Sequence, residues 1–147
     1  VRLGLKKSAS GVDLYAGGDT ISGVGGGGGG EFSPTGAVST KQPSGTPEMI
    51  GQFAWIVAEH GSGGIYFEAV LSAETGATAT LVLHNVTDNA QVTTLTHNTT
   101  TPTAKTSANL VGNPNFSTVA DKVYEVRLYS SDSTKAVTCG GWWMREA

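Results

Sequence analysis

The fold class predicted by this sequence is an all-β sandwich preceded by a long glycine-rich leader, and three observations predict it. Apolar and polar residues alternate with a period of two through most of the body, the pattern of strands with one dry face. Clusters of Gly, Asn, Asp, Ser and Pro recur between those runs and mark turns. No apolar stripe with a 3.6-residue period runs for a useful length. Seven or eight short strands at close spacing then pack as two sheets. Glycine divides the 147 residues, because 13 of the 21 fall before residue 48. Residues 1–47 therefore read as an extended Gly/Ser/Thr-rich arm, and residues 48–147 as a sandwich large enough to bury its own core.

The arm opens on Val1–Lys7, whose weak alternation (Val1, Leu3, Leu5) predicts a strand that adds to a sheet of its own chain or of a neighbour. From Ser8 to Pro47 there is too little apolar surface to offset the entropy of ordering, so alone the segment is expected to be flexible. Two readings stay open: a linker, or an arm ordered by lying on a partner. In the second, Leu14, Tyr15, Ile21 and Phe32 are the anchors, and Arg2, Lys6 and Lys7 form a small basic cluster for an acidic surface. Fully extended, the segment reaches on the order of 130 Å. Its six consecutive glycines, Gly25–Gly30, are not a phosphate cradle, since Glu31-Phe32-Ser33-Pro34 follows them and no lysine stands where a nucleotide loop needs one.

In the body, Gln52–Glu59 reads as a strand covered on both sides, with Phe53, Trp55 and Val57 on one face and Ala54, Ile56 and Ala58 on the other. His60–Gly64 is a loop. Ile65–His84 is the most regular stretch: Ile65, Phe67, Ala69, Leu71 and Ala73 face one way, and after Glu74-Thr75-Gly76 the alternation resumes with Ala77, Ala79, Leu81 and Leu83. It reads as an antiparallel hairpin. Ala90–His97 and Thr103–Val111 are threonine-heavy strands suited to half-exposed sheet surface. Asp121–Ser130 points Tyr124, Val126 and Leu128 inward. Lys135–Glu146 closes the chain, with a bulge expected at Gly140-Gly141. Trp142 and Trp143 adjoin, so one ring belongs in the core and the other, taken as Trp143, faces out as an oligomer contact or a sugar-stacking platform.

Composition narrows the function classes. Only 14% of residues are charged and the net charge is −3, which leaves no broad basic surface for nucleic acid. No run approaches the roughly 18 apolar residues of a membrane span, and none at the start suits a signal peptide. A cytosolic site of synthesis is the expectation. The single cysteine, Cys139, allows neither an intrachain disulfide nor a thiolate metal cluster. Three sequons, at Asn85, Asn98 and Asn115, are read as accidental in so Thr-rich a chain.

Candidates for chemistry are few. His60, His84 and His97 lie in or beside different loops with no carboxylate at a ligand spacing, so no metal or other cofactor is expected. His60-Gly61-Ser62-Gly63 lacks the first glycine of a nucleophile elbow. Glu68 and Glu125 are in the exposed phase of two strands and would form a hydrolytic pair only if those strands were neighbours. No catalytic residue is assigned, and the expectation is a protein that is not an enzyme.

Three segments, IYFEAVLSAETGATATLVLHNVTDN at Ile65–Asn89, TTTPTAKTSANL at Thr99–Leu110 and KVYEVRLYSSDSTKAVTCGGWWMRE at Lys122–Glu146, carry a resemblance. In strand length and turn chemistry the chain resembles the jelly-roll capsid cement or decoration proteins of tailed bacteriophages, over about two thirds of its length. The resemblance implies a jelly-roll domain on the exterior of a virion capsid, made in the host cytoplasm. The implied partners are the major capsid protein and further copies of itself as a homo-oligomer, with no nucleic acid and no membrane. The alternative it implies is a jelly-roll carbohydrate-binding or tail-fibre receptor-binding module using outward aromatics such as Tyr66, Tyr129 or one of the pair Trp142 and Trp143. The alternating pattern alone leaves jelly-roll and immunoglobulin-like strand orders equally open.

Overall fold

A computed structural model of the protein describes residues 3–8, 11–16, 19–21 and 36–147. Within the leader, strands β1 (Leu3–Ser8), β2 (Gly11–Ala16) and β3 (Asp19–Ile21) form an antiparallel sheet in that order. The leading strand expected near Val1–Lys7 thus pairs within its own chain, with Leu3 opposite Ala16 and Ser8 opposite Gly11. The glycine run at 25–30 lies outside the described residues.

The sandwich comprises β4 (Val38–Thr40), β5 (Glu48–Trp55), β6 (Ile65–Ala73), β7 (Ala79–Asn85), β8 (Ala90–His97), β9 (Thr103–Thr106), β10 (Lys122–Ser130) and β11 (Val137–Glu146). One sheet has the order β5-β10-β7-β8 and the other β4-β11-β6-β9, with every pairing antiparallel. The predicted all-β sandwich is therefore the fold. It starts earlier than the expected boundary at residue 48, because Val38–Thr40 pairs with Val137–Cys139 of β11. Three residues with one buried side chain, Thr40, are too short a run for alternation to register.

Three further expectations change. The stretch 65–84 is not a hairpin: β6 pairs with β9 and β11, whereas β7 pairs with β8 and β10 in the opposite sheet. Alternation reports a dry face and is silent about whether the next strand lies beside it or across the core. Phe67, Leu71, Leu81 and Leu83, all fully buried, satisfy the same pattern from two facing sheets. The hairpin is β7–β8, closed by Val86–Asn89, where Asn89 takes φ +51°. Next, the strand at 52–59 ends at Trp55, and a single 3₁₀ turn, Val57–Glu59, follows. It is an edge strand with Ala54 exposed, not one covered on both sides. Last, the strand predicted to run to Val111 stops at Thr106; beyond it the Ser107 N–H donates to the Phe67 carbonyl while its hydroxyl accepts the Phe67 N–H, and the Leu110 N–H donates to the Ile65 carbonyl.

Between the sheets runs a row of five rings, Trp142, Phe53, Tyr124, Phe116 and Trp55, with successive centroids 5.5, 5.6, 5.1 and 5.4 Å apart. Such offset and edge contacts add to the burial of apolar area itself. Tyr124 is completely buried, and its hydroxyl accepts the Ser117 N–H at 3.0 Å. Gly51 lets the row close: a Cβ there would stand 2.4 Å from Trp142 Cζ2.

Candidate functional site

A bulge decides which side chains of β11 reach the surface. In β11, Val137 and Cys139 point inward, and an unbroken strand would carry Gly141 and Trp143 inward after them. The register against β6 shifts between Cys139 and Gly141, so Trp142 (2% exposed) and Met144 (1%) take the core positions. Trp143 turns out. The predicted bulge and the predicted outward ring are thus one feature, since an inserted residue reverses the facing of everything after it.

On the outer face of β4-β11-β6-β9, Trp143 stands opposite Glu68, Arg145 opposite Tyr66, and Thr106 opposite Glu68 from the other side. Glu68 collects three donors: Trp143 Nε1–H at 2.6 Å to Oε2, Arg145 Nε–H at 2.8 Å to Oε1, and the Thr106 hydroxyl at 3.2 Å to Oε1. The Arg145 guanidinium also lies 4.6 Å from the Tyr66 ring centroid, a cation–π contact. The Glu68 side chain is 13% exposed and that of Arg145 44%. Desolvation pushes the Glu68 carboxyl up, but the hydrogen bonds from Arg145, Trp143 and Thr106 with the Arg145 charge outweigh it, holding the carboxyl below the usual range. The result is an outer patch whose polar side chains already hold one another through hydrogen bonds. That geometry suits contact with another surface, because little side-chain freedom remains to be lost on docking.

A second cluster is buried. The imidazole of His60 stacks on Trp55 with centroids 3.4 Å apart and planes 4° from parallel. His60 Nδ1 and Glu146 Oε2 are 3.2 Å apart, and Glu146 Oε1 accepts the Gly61 N–H at 2.8 Å. Both carboxylate oxygens thus accept hydrogen bonds, placing the His60 proton on Nδ1. The side chains of His60 and Glu146 are 6% and 4% exposed, and His60 Nε2 is buried without a hydrogen-bond partner among the described residues. A histidine oriented by a carboxylate has the form of a general base, and here its other nitrogen is buried. The cluster ties the loop 56–64 to the end of β11.

The remaining sequence candidates separate. Glu68 and Glu125 sit on the outer faces of opposite sheets and make no hydrolytic pair; Glu125 is engaged by Arg127 at 2.7 Å. His84 meets Asn89, and His97 meets Thr99 and Thr101. Among the described residues no three His, Cys, Asp or Glu side chains gather as metal ligands, and no helix is long and apolar enough to cross a membrane. A shallow hollow of about 180 Å³ lined by Ser72, Glu74, Thr100 and Thr138 falls short of the usual ligand-pocket size. Asn85 of the first sequon is 1% exposed and bonded to Asp88 and the Asn115 carbonyl, which is no place for a glycan.

Of the arm candidates, Lys6 and Lys7 lie on β1 opposite Asp13 and Val12, Leu14 and Tyr15 lie on β2, and Ile21 lies on β3 opposite Leu14. Arg2 and Phe32 lie outside the described residues. Trp143 belongs to the outer patch. Sequence reasoning missed Arg145 and Thr106, and it took Glu68 for surface charge or half of a pair. Only the register of β6 against β11 and β9 brings these side chains together. Compared with known proteins, the chain matches no family model and no curated sequence.

Proposed function

We propose that this chain is a virion structural protein of the capsid cement or decoration kind, binding the outside of a phage capsid and stabilising the lattice of major capsid proteins. The observation that carries the reading is the outer patch of Tyr66, Glu68, Trp143 and Arg145, ordered by its own hydrogen bonds and a cation–π contact. A protein that adds adhesion across the seams of a repeating shell needs such a surface and no turnover chemistry. In this reading the protein acts by binding alone, with no cofactor. The strand order also supports it: the chain changes sheets at every sandwich connection except β7–β8, an arrangement consistent with the interlocked Greek keys of a jelly roll. The leader supplies a second contact, lying along the capsid protein or a neighbouring copy.

The test is co-sedimentation of the full chain with empty icosahedral shells built from the major capsid protein of the same virion. Binding is expected, with at least a tenfold loss for Trp143→Ala, and no binding defeats the reading. Undiminished occupancy after removal of residues 1–30 defeats the leader's part of it. One observation favours a second reading: Trp143 and Tyr66 share a face with a carboxylate and a guanidinium, the groups that recognise sugar hydroxyls. A saturable change in tryptophan fluorescence on titration with oligosaccharides, without shell binding, selects the carbohydrate-binding or receptor-binding module instead.

A further inference from the structure

The sandwich has four strand edges, of which two are short and a third is partly covered. β4 has three residues and β9 four, the latter carrying Lys105; short strands and lysine are the usual protection of an edge. β8 is long, and Asn113 Nδ2, donating to the Val92 carbonyl at 3.0 Å, and Asn115 Nδ2, donating to the Gln91 carbonyl at 2.8 Å, cover its edge near one end. β5 is different. It runs for eight residues, contains no proline, lysine or arginine, and carries its only charge, Glu48, at one end. It pairs with β10 on one side alone. Among the described residues no hydrogen bond engages its other side. Alternate residues of such a strand direct N–H and C=O away from the sheet, so β5 offers an unfilled ladder. Beside that ladder, Met49 is 56% exposed and Val123, opposite Ala54, is 36% exposed.

We propose that the β5 edge is the self-association surface of this protein, pairing antiparallel with β5 of a second copy about a two-fold axis to make one continuous eight-stranded sheet. The register follows from facing. Phe53 and Trp55 point into the core, Gln52 and Ala54 point out, and the bulge opposite Val126/Arg127 returns Met49 to the outer face beside Arg127. A strand that pairs with itself must match outward residues to outward residues, so the axis falls on a single residue, and full overlap selects Gln52. Gln52 then opposes Gln52, Gly51 opposes Phe53, and, with Ile50 bulged as it is against β10, Met49 opposes Ala54. Large meets small, and the exposed Met49 is covered beside Val123 of the other copy. The two Glu48 side chains lie at opposite ends of the ladder and do not repel. Such a contact is isologous and closes on itself. It rests on β5 alone and stands whether or not the protein binds a capsid.

The experiment uses the full chain. Light scattering after size exclusion is expected to give twice the chain mass, falling to one chain mass on dilution. In hydrogen exchange, the β5 amides directed away from β10 become protected only in the dimer, by at least tenfold in rate. Gln52→Cys is expected to form a disulfide-linked dimer on mild oxidation, because directly opposed residues of antiparallel strands have Cα atoms about 4.5–5.5 Å apart. Thr94→Cys on β8, outward and exposed, is the control and stays monomeric on denaturing gels; Cys139 is buried and does not interfere. A monomer at all concentrations, a three-fold assembly, or a dimer in which Gln52→Cys fails to cross-link and the outer β5 amides stay unprotected overturns the proposal.

Discussion

If Glu68 organises the outer patch, its bond to Trp143 should outweigh its ion pair with Arg145, although the second is the one a charge count would notice. The Trp143 Nε1–H···Oε2 bond is 2.6 Å long and its acceptor is 13% exposed. A hydrogen bond to a charged group in such a setting contributes about 1.5–3 kcal/mol. Arg145 is 44% exposed, so solvent and salt screen its charge, and pairs of that kind contribute about 0.2–1 kcal/mol. Two double-mutant cycles separate them. One combines Glu68→Ala with Trp143→Phe, which removes the N–H and keeps a ring; the other combines Glu68→Ala with Arg145→Met, which keeps the aliphatic stem. Urea denaturation followed by circular dichroism at pH 7, with m-values checked for constancy, supplies the free energies. The coupling to Trp143 is expected near 1.5–2 kcal/mol and that to Arg145 below about 1 kcal/mol. An Arg145 coupling equal to or larger than the Trp143 coupling, or a Trp143 coupling under about 0.5 kcal/mol, refutes the reasoning.

Three further outcomes follow from the same structure. The Glu68 carboxyl is held below its ordinary value of 4.5 in the folded chain, so its contribution is complete above that pH and is lost as pH falls through the folded value; the stability gap between the parent and Glu68→Gln, measured in urea, should narrow from pH 7 to pH 3. Gly51→Ala forces a Cβ to 2.4 Å from Trp142 Cζ2 and should cost about 1–3 kcal/mol, read as a lowered urea midpoint, whereas Gly36→Ala, with nothing within 4 Å, should stay within about 0.5 kcal/mol. Cys139 is 2% exposed and its thiol is pushed up to about 11 by burial, partly offset by a backbone hydrogen bond at Gly141; at pH 8 it should react with an aromatic disulfide reagent only after denaturant is added.

How far the chain could be read in advance follows from what each signal measures. Alternation at Ile65–Ala73 and Lys122–Ser130 records which side of a strand avoids water, and that is a local property, so the sandwich, its inward residues and the outward Trp143 were legible before any coordinates. The Gly140-Gly141 pair signalled the bulge because a backbone without Cβ atoms tolerates the extra residue. Local pattern carries no information about which strand lies next to which. The segment 65–84 therefore looked like a hairpin while its halves belong to opposite sheets. For the same reason Glu68 could not be linked to Trp143, 75 residues away, nor His60 to Glu146, 86 residues away. The sequence by itself determined the class of fold and the facing of most side chains. Strand order and register, which arise only when two sheets close over a shared core, decided the patch on one face, the buried histidine at one end and the open edge at β5.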